Sequence, residues 1–414
     1  MIVKKNIHKI YFLFLLFHLI MWTLIPTLTN VNLPLDTIEA LAWGSNIDWG
    51  FNKHPPFSAI AANLFYVIFG NQDWAYYLLS QIFIILGFIA VFKLANEFFK
   101  NDHLAFLSVI LLEGIFFFNY TSPEFNVNVS QLPFWGLSIF FTWRVIKYNK
   151  YLDSLFLGLF LALGLLSKYL FLYLILGIYF LFIFLLFKRK IKFYKILIVS
   201  LLTFIIFFPH LIWLFNNDFT TITFGFQRSG IEKGFLNHFT SPIIFILKQV
   251  GILSPFLLMV FFLLKKIKLK KIKLNDKLIF LLFTFLVPIT LMILTSLFTG
   301  AKIRTMWMTP FYLFIGLFFI YIFKENIILK NLNKFYIIFL FLFFFSPITY
   351  AVVSLTNDFK RTDYPGKEIA RLVQDRWDQN FSNDIKLVIG DEWYAGNLSY
   401  HLKSRPKWEG FNND

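Results

Sequence analysis

No cysteine occurs in the 414-residue chain. That absence excludes disulfides and thiolate metal centres and leaves the redox compartment unmarked. Charge is scarce: 15% of residues are Asp, Glu, Lys or Arg, whereas 58% are hydrophobic, against roughly 45–50% apolar in a soluble domain. A water-soluble fold cannot hide that much apolar surface. There is no glycine-rich phosphate loop, and the apolar runs offer nothing from which to build a nucleotide fold, so a soluble nucleotide donor is disfavoured. The runs do not alternate apolar with polar residues as barrel strands do, which excludes a closed β-barrel. Internal repeats are lacking, and the only low-complexity stretch is the basic loop at 265–277.

What is present is a succession of long apolar runs. Ile10–Leu28, Tyr76–Phe92, Tyr169–Phe187, Ile196–Phe215, Leu278–Phe298 and Phe335–Leu355 each approach the length needed to cross about 30 Å of hydrocarbon as helix. Dividing the chain at charge clusters and Pro, Gly or Asn turns predicts an all-α polytopic membrane protein with about eleven spans. These are expected near 8–28, 74–94, 103–119, 128–147, 151–167, 169–187, 193–215, 242–264, 277–299, 304–323 and 334–354. The split at Ser167-Lys168-Tyr169 divides an apolar stretch too long for one ordinary span. The first run has no small-residue cleavage site and leads into further spans, so it reads as a retained signal anchor.

Acidic residues are the scarcer sign, 23 against 39 Lys and Arg, for a net charge of +16. The basic residues cluster between spans, where anionic lipid headgroups rather than nucleic acid are the expected partner. With Lys4, Lys5 and Lys9 taken as cytoplasmic, alternate connections collect Lys93 and Lys100, then Arg144, Lys147 and Lys150, then Lys188, Arg189, Lys190, Lys192 and Lys195. The 265–277 cluster and Lys324, Lys330 and Lys334 follow on the same side. The other side holds only Lys53, Lys168, Arg228, Lys233, Lys302 and Arg304 before the tail. This asymmetry predicts a cytoplasmic N-terminus and an extracytoplasmic C-terminus. A bias to Lys, Ile, Phe and Asn suggests an AT-rich prokaryotic genome, hence a plasma (bacterial inner) membrane.

The outward side also receives the long irregular segments 29–73, 119–128, 216–241 and the tail. Within the first, Phe57–Phe69 is too short to span and reads as an interfacial helix. The expected domains are a transmembrane unit over 1–355 and a small extracytoplasmic α/β module over 356–414. In that module Ile369, Leu372, Val373 and Trp377 share a helical face, while Leu387-Val388-Ile389 with Gly390-Asp391 reads as a short buried strand and turn.

Polar groups at the outer ends of spans carry the functional signal, because burial near lipid is expensive. Asp36 and Glu39, three apart, fall on one helical face and suit a general base; they also fit a capping box. His54 before two prolines is held extended and suits either a phosphate or proton contact or a plain turn, with Lys53 adding positive charge. Glu124 sits among Asn126, Asn128 and Gln131, as a site group or as the cap of the fourth span. Lys168, Arg228, Lys302 and Arg304 would bind a phosphate or diphosphate if they converge, and singly would snorkel at the interface. His210 and Asp218 are weaker candidates, His210 reading as structural. Trp43, Trp49, Trp74, Trp213 and Trp307 fit an aromatic belt better than sugar stacking.

The stretches Leu35-Asp36-Thr37-Ile38-Glu39-Ala40-Leu41-Ala42-Trp43-Gly44, Trp49-Gly50-Phe51-Asn52-Lys53-His54-Pro55-Pro56, Thr121-Ser122-Pro123-Glu124-Phe125-Asn126 and Leu165-Leu166-Ser167-Lys168-Tyr169 carry a resemblance. They resemble the multi-span glycosyltransferases of the C-type fold that use polyprenyl-phosphate sugars, among them protein O-mannosyltransferases and lipid A aminoarabinose transferases. The layout is similar over residues 10–320, with the specific motifs in the first 170. The resemblance implies a catalytic base at Asp36, with Glu124 at the acidic position of the second outward loop that shapes an acceptor or metal site. Many relatives carry an adjacent Asp-Glu pair; here the second acid, Glu39, comes three residues later. Lys168, Lys302 and Arg304 match phosphate-binding positions more loosely. The implied reaction is inverting displacement at the anomeric carbon of a polyprenyl-phosphate-linked sugar, the acceptor being a lipid, a glycan or a protein. A divalent cation is left open, since carboxylates serve as bases or as ligands. The competing class is a lipid or solute transporter or flippase, against which stand the missing inverted repeat and the gathering of polar groups on one side.

Overall fold

The computed structural model describes residues 2–230, 234–264, 273–329 and 332–411, with only the backbone over residues 2–5. Expectations for Lys233, Lys330, the 265–272 part of the basic loop and the Lys4 and Lys5 side chains lie outside the described residues.

The chain is mostly helix. In order come α1 (Ile2–Thr29), α2 (Leu35–Ser45), α3 (Phe57–Phe69), α4 (Asp73–Phe99), α5 (Asp102–Ile110), α6 (Val127–Ser130), α7 (Leu132–Tyr148), α8 (Tyr151–Ser167), α9 (Leu172–Phe187) and α10 (Phe193–Asn216). They are followed by α11 (Thr220–Arg228), α12 (Asn237–Ile252), α13 (Ser254–Leu263), α14 (Asp276–Leu281), α15 (Val287–Thr299), α16 (Ile315–Phe323) and α17 (Asn333–Thr356). The tail folds as α18 (Gly366–Asn380), β1 (Leu387–Ile389), α19 (Tyr394–His401) and β2 (Lys407–Glu409).

Polar caps and prolines set the breaks. Asn101 opens α5 by accepting from the backbone N–H groups of His103 and Leu104 at 3.0 and 3.3 Å, and Asn275 opens α14 by accepting from Leu278 at 3.0 Å. Pro255 sits at the start of α13, where α12 and α13 meet at a 52° bend. Pro288, unable to donate to the preceding turn, follows a π-helical stretch over Leu282–Leu286 that joins α14 to α15.

All eleven predicted spans are helical, but they are unequal. Among the described residues, six continuous helical stretches are long and apolar enough to cross a membrane, or up to eight if each of two bent pairs is one span. The 103–119 stretch breaks after nine helical residues into 3₁₀ turns, and α7 and α8 have 17 residues each. Length and composition therefore support six to eight of the predicted eleven. The stretch 57–69 forms a 13-residue helix ended by Gly70 at φ 64°.

Helix contacts run α1–α4–α7–α8–α10, with α9 against α15 and α17 against α1 and α13. Between helices in a bilayer packing must come from close fit rather than from expelling water. Edge-on and tilted rings supply it: Phe98 meets Trp143, Phe280 and Tyr321 at 4.7 to 6.0 Å, and Trp135 meets Phe171 and Phe311 at 5.5 and 4.7 Å. A buried polar contact also ties α1 to the turn after α5, His18 Nδ1 lying 2.8 Å from Glu113 Oε1.

The tail is an α/β unit docked on α2. β1 and β2 pair in parallel, with Val388 opposite Trp408. Val373 and Trp377 pack on Ala370, Ile385 and Leu402 as the shared-face reading implies, but Leu372 is 63% exposed, its side chain turned off that face. The strand is not buried throughout either: Leu387 and Ile389 are exposed and only Val388 faces inward, because a two-stranded sheet with one covered side buries alternate residues. Ala42, Trp43, Phe51 and Ala59 form one apolar cluster with Ala395 and Trp408 of the tail. Arg405 donates to the Leu41 carbonyl at 2.5 Å and lies 4.1 Å over the Tyr66 ring, while the Trp408 N–H donates to Ser45 Oγ at 2.8 Å.

Candidate active site

Pro34 precedes α2 in extended geometry and its carbonyl accepts from Ile38 at 3.1 Å, so the helix begins at Leu35 and Asp36 lies inside its first turn. First-turn N–H groups have no partner within the helix. That of Asp36 donates to Glu124 Oε1 at 3.1 Å, and Thr37 Oγ1 donates to the Phe125 carbonyl at 3.3 Å. The 119–126 loop is thereby docked on the N-terminus of α2, an end that favours negative charge. The capping readings give way here. Pro34, not Asp36, is the cap of α2, and Glu39 bonds to Lys53 rather than back to the helix start. Asn126, not Glu124, caps α6, accepting from Asn128 and Val129 at 2.9 and 3.1 Å.

Around this carboxyl pair the cations gather. Lys168, buried between α8 and α9, donates to Asn128 Oδ1 at 2.5 Å and stands 5.4 Å over the Trp307 ring. Positive charge on Lys168, Lys53, Arg228 and Arg361 acts on Asp36, and Arg304 interacts with Asp36, Lys168 and Arg228. Arg228 and Arg304 are exposed. The Lys302 N–H donates to the Ser229 carbonyl at 2.9 Å, which joins the loop carrying Lys302 and Arg304 to the end of α11.

Burial raises the Asp36 carboxyl, opposed by Lys168, Lys53, Arg228 and Arg361. Burial likewise pushes Glu124 up to about 8, reinforced by the charge of Asp36. Cations oppose the rise at Asp36, whereas at Glu124 the opposition comes from hydrogen bonds of the Asp36 N–H and Asn126. Burial lowers the Lys168 ammonium to about 7, with Asp36 pulling it back up.

A second ionic group closes the rim. Lys53 Nζ lies 2.6 Å from Glu39 Oε1 and 3.1 Å from Glu392 Oε1 of the tail. Burial raises Glu39 to about 7 against the pull of Lys53; burial alone would lower Lys53, but Glu39 and Glu392 together raise it. His54 faces Trp43 and Phe224 edge-on at 6.0 and 6.1 Å, and its carbonyl accepts from the Phe51 N–H at 3.1 Å. Burial, with Lys168, Lys53 and Arg228 nearby, holds His54 well below its usual value, so its imidazole is neutral.

The loop carrying Lys53 and His54 is pinned to α10. His210 Nδ1 lies 2.5 Å from the Trp49 carbonyl and its Nε2 2.6 Å from Tyr169 OH, next to Lys168; Thr221 Oγ1 donates to the Phe51 carbonyl at 2.7 Å. His210 is thus structural, as its sequence position suggests, and Asp218 is exposed in the turn after α10. A Cβ on Gly50 would lie 2.3 Å from the Trp213 ring, so only glycine fits there. Of the five tryptophans expected at the interface, Trp43 is buried under the tail.

Sequence reasoning missed Arg361 and Glu392. Neither stands in a recognisable motif, and both reach the site only because the tail folds back, the Val31 and Asn32 N–H groups donating to the Thr362 carbonyl at 3.1 and 2.9 Å. Among the described residues no group of three or more His, Asp or Glu side chains is placed to hold a metal ion.

Residues 53–213 match the family model described as dolichyl-phosphate-mannose-protein mannosyltransferase. Among solved structures, the chain is similar to ArnT from Cupriavidus metallidurans bound to undecaprenyl phosphate, with a TM-score of 0.63 at 12% identity over 97% of this chain and 86% of that one. The apo state of the same protein gives 0.60 at 12% identity over 94% and 84%. The chain shares the fold of that structure. No curated protein sequence matches it. The family-matched stretch contains Lys53, His54, Glu124, Asn126 and Lys168; Asp36 and Glu39 precede it, and Arg228, Lys302 and Arg304 follow it.

Proposed function

We propose that the protein is a membrane glycosyltransferase that moves a sugar from a polyprenyl-phosphate carrier to a hydroxyl acceptor on the extracytoplasmic face. The observation that carries this reading is the convergence of Lys168, Lys53, Arg228, Arg304 and Arg361 about Asp36, one acid amid cations beside a second, Glu124, that burial pushes up to about 8. A transporter has no need of that pairing; a displacement reaction does.

In this reading Asp36 removes the proton of the acceptor hydroxyl as its oxygen attacks the anomeric carbon from the side opposite the phosphate. The C–O bond to the phosphate breaks with inversion, and Lys168, Arg228 and Arg304 balance the charge on the departing lipid phosphate. Glu124, holding its proton and accepting the Asp36 N–H, fixes the orientation of the base. No covalent enzyme intermediate is required. The undecaprenyl phosphate named with the ArnT structure supports a carrier of that class.

The test is incubation of protein-containing membranes with a panel of polyprenyl-phosphate sugars, with the anomeric configuration of any product read by NMR. Transfer with inversion supports the reading. Transfer with retention would overturn the single-displacement mechanism, and no transfer from any donor would overturn the activity.

A further inference from the structure

Three aromatic side chains of the tail stand together at the edge of the carboxyl site. The Tyr364 ring lies 5.4 Å from that of Trp393, tilted by 52°, and 5.8 Å from that of Tyr394, tilted by 66°. Their places in the chain tie them to the site. Trp393 directly follows Glu392, whose carboxylate lies 3.1 Å from Lys53 Nζ. The Tyr364 N–H closes one turn onto the carbonyl of Arg361, whose charge acts on Asp36.

The backbone under these rings is fixed. Asp391 Oδ1 accepts from the N–H groups of Trp393 and Tyr394, both at 2.8 Å. α19, which starts at Tyr394, packs on α2 so closely that a Cβ on Gly396 would stand 3.1 Å from the side chains of Ile38 and Ala42. Since α2 also bears Asp36 and Glu39, the rings and the acids share one frame, which lowers the cost of ordering a ligand between them.

The rings are also uncommitted. Trp393 and Tyr364 are half-buried, and Tyr394 is 59% exposed. Neither the Trp393 indole N–H nor the hydroxyls of Tyr364 and Tyr394 bond to any described residue, whereas such tips find partners when a ring serves a closed core. Rigid rings with polar tips offer wide contact and hydrogen bonds at small entropic cost. The exposed charges alongside are of both signs, Arg361 and Lys367 against Glu368 and Asp391. An anionic lipid surface calls for an excess of positive charge; a neutral polyhydroxyl ligand does not.

We infer that Tyr364, Trp393 and Tyr394 form a subsite for a saccharide unit of the acceptor, which makes that acceptor a glycan or a glycan-bearing molecule. The C–H face of a pyranose packs on the rings, while their polar tips and Arg361 bond its hydroxyls. The acceptor role rests on the proposed transfer reaction; the binding of a saccharide does not.

The experiment applies the full-length protein in detergent, without donor, to an array of neutral, amino and acidic oligosaccharides, with phosphatidylglycerol liposomes and unglycosylated peptides as alternative targets. Tyr394 is exposed enough to be changed without disturbing the fold. The wild type should bind at least one oligosaccharide, and Tyr394→Ala should weaken that binding about tenfold. Tyr394→Phe, which keeps the ring, should weaken it by about threefold at most. Offered as acceptor with a polyprenyl-phosphate sugar, the same oligosaccharide should show a KM raised by a similar factor in Tyr394→Ala, with kcat and the donor KM unchanged. Binding to no oligosaccharide, equal binding by wild type and Tyr394→Ala, or Tyr394-dependent attachment to liposomes or peptides instead overturns the inference, whether or not transfer is seen. Tyr394-dependent glycan binding with no transfer from any donor upholds the saccharide site and counts against the transferase reading alone.

Discussion

In the proposed reaction Asp36 and Glu124 divide one task between two acids, and the division makes distinct predictions. Asp36→Asn removes the base without changing shape and should lower transfer by about 10²- to 10⁴-fold, measured as turnover at saturating donor. Glu124→Gln keeps a neutral side chain and should retain most activity near neutrality, while Glu124→Ala, which strips the acceptor from the Asp36 N–H, should not. The pH profile follows from signs. Glu124, pushed up to about 8, is neutral below that pH and negative above it; Lys168, lowered to about 7, is cationic below and neutral above. Both changes make the site more negative as pH rises, so the KM for an anionic donor should climb between about 7 and 8, and Glu124→Gln should remove the upper part of that climb. Lys168→Gln should raise the KM about 30-fold at pH 6.5, equivalent to about 2 kcal/mol for one charged hydrogen bond. The acids were legible in the sequence because polar residues next to apolar spans are conspicuous. Their capping reading was not refutable there, since spacing alone cannot tell whether Glu39 reaches the helix start or Lys53.

Among the elements, the long helices were legible from apolar run length and charged boundaries, as α4, α10 and α17 show. The short ones were harder. The 103–119 stretch is apolar enough to read as a span, yet it breaks into 3₁₀ turns where Asn119 turns back to donate to the Glu113 carbonyl at 2.8 Å. Hydropathy is blind to such a turn. The loop over 46–56 shows how an element serves the site, since Trp213 holds Gly50 on one side and His210 holds the Trp49 carbonyl. Gly50→Ala should cost about 1–3 kcal/mol by overpacking, seen as a lowered Tm, and should raise the donor KM by moving Lys53.

At the scale of the molecule, the tail looked from its composition like a separate module, but the structure lays it over α2. Glu392 and Arg361 reach the carboxyl site by long-range docking, which no local pattern encodes. Glu392→Gln should weaken the hold on Lys53 and lower transfer several-fold while leaving the protein inserted, as measured on membranes normalised for protein. The central claim is that a single carboxylate among cations drives sugar transfer from a lipid carrier. It is tested most directly by following a radiolabelled sugar from polyprenyl-phosphate sugar to endogenous acceptors in membranes holding equal amounts of inserted wild type or Asp36→Asn protein. Label transfer with the wild type and near-background transfer with the variant are expected; equal transfer by both would show that Asp36 is not the base.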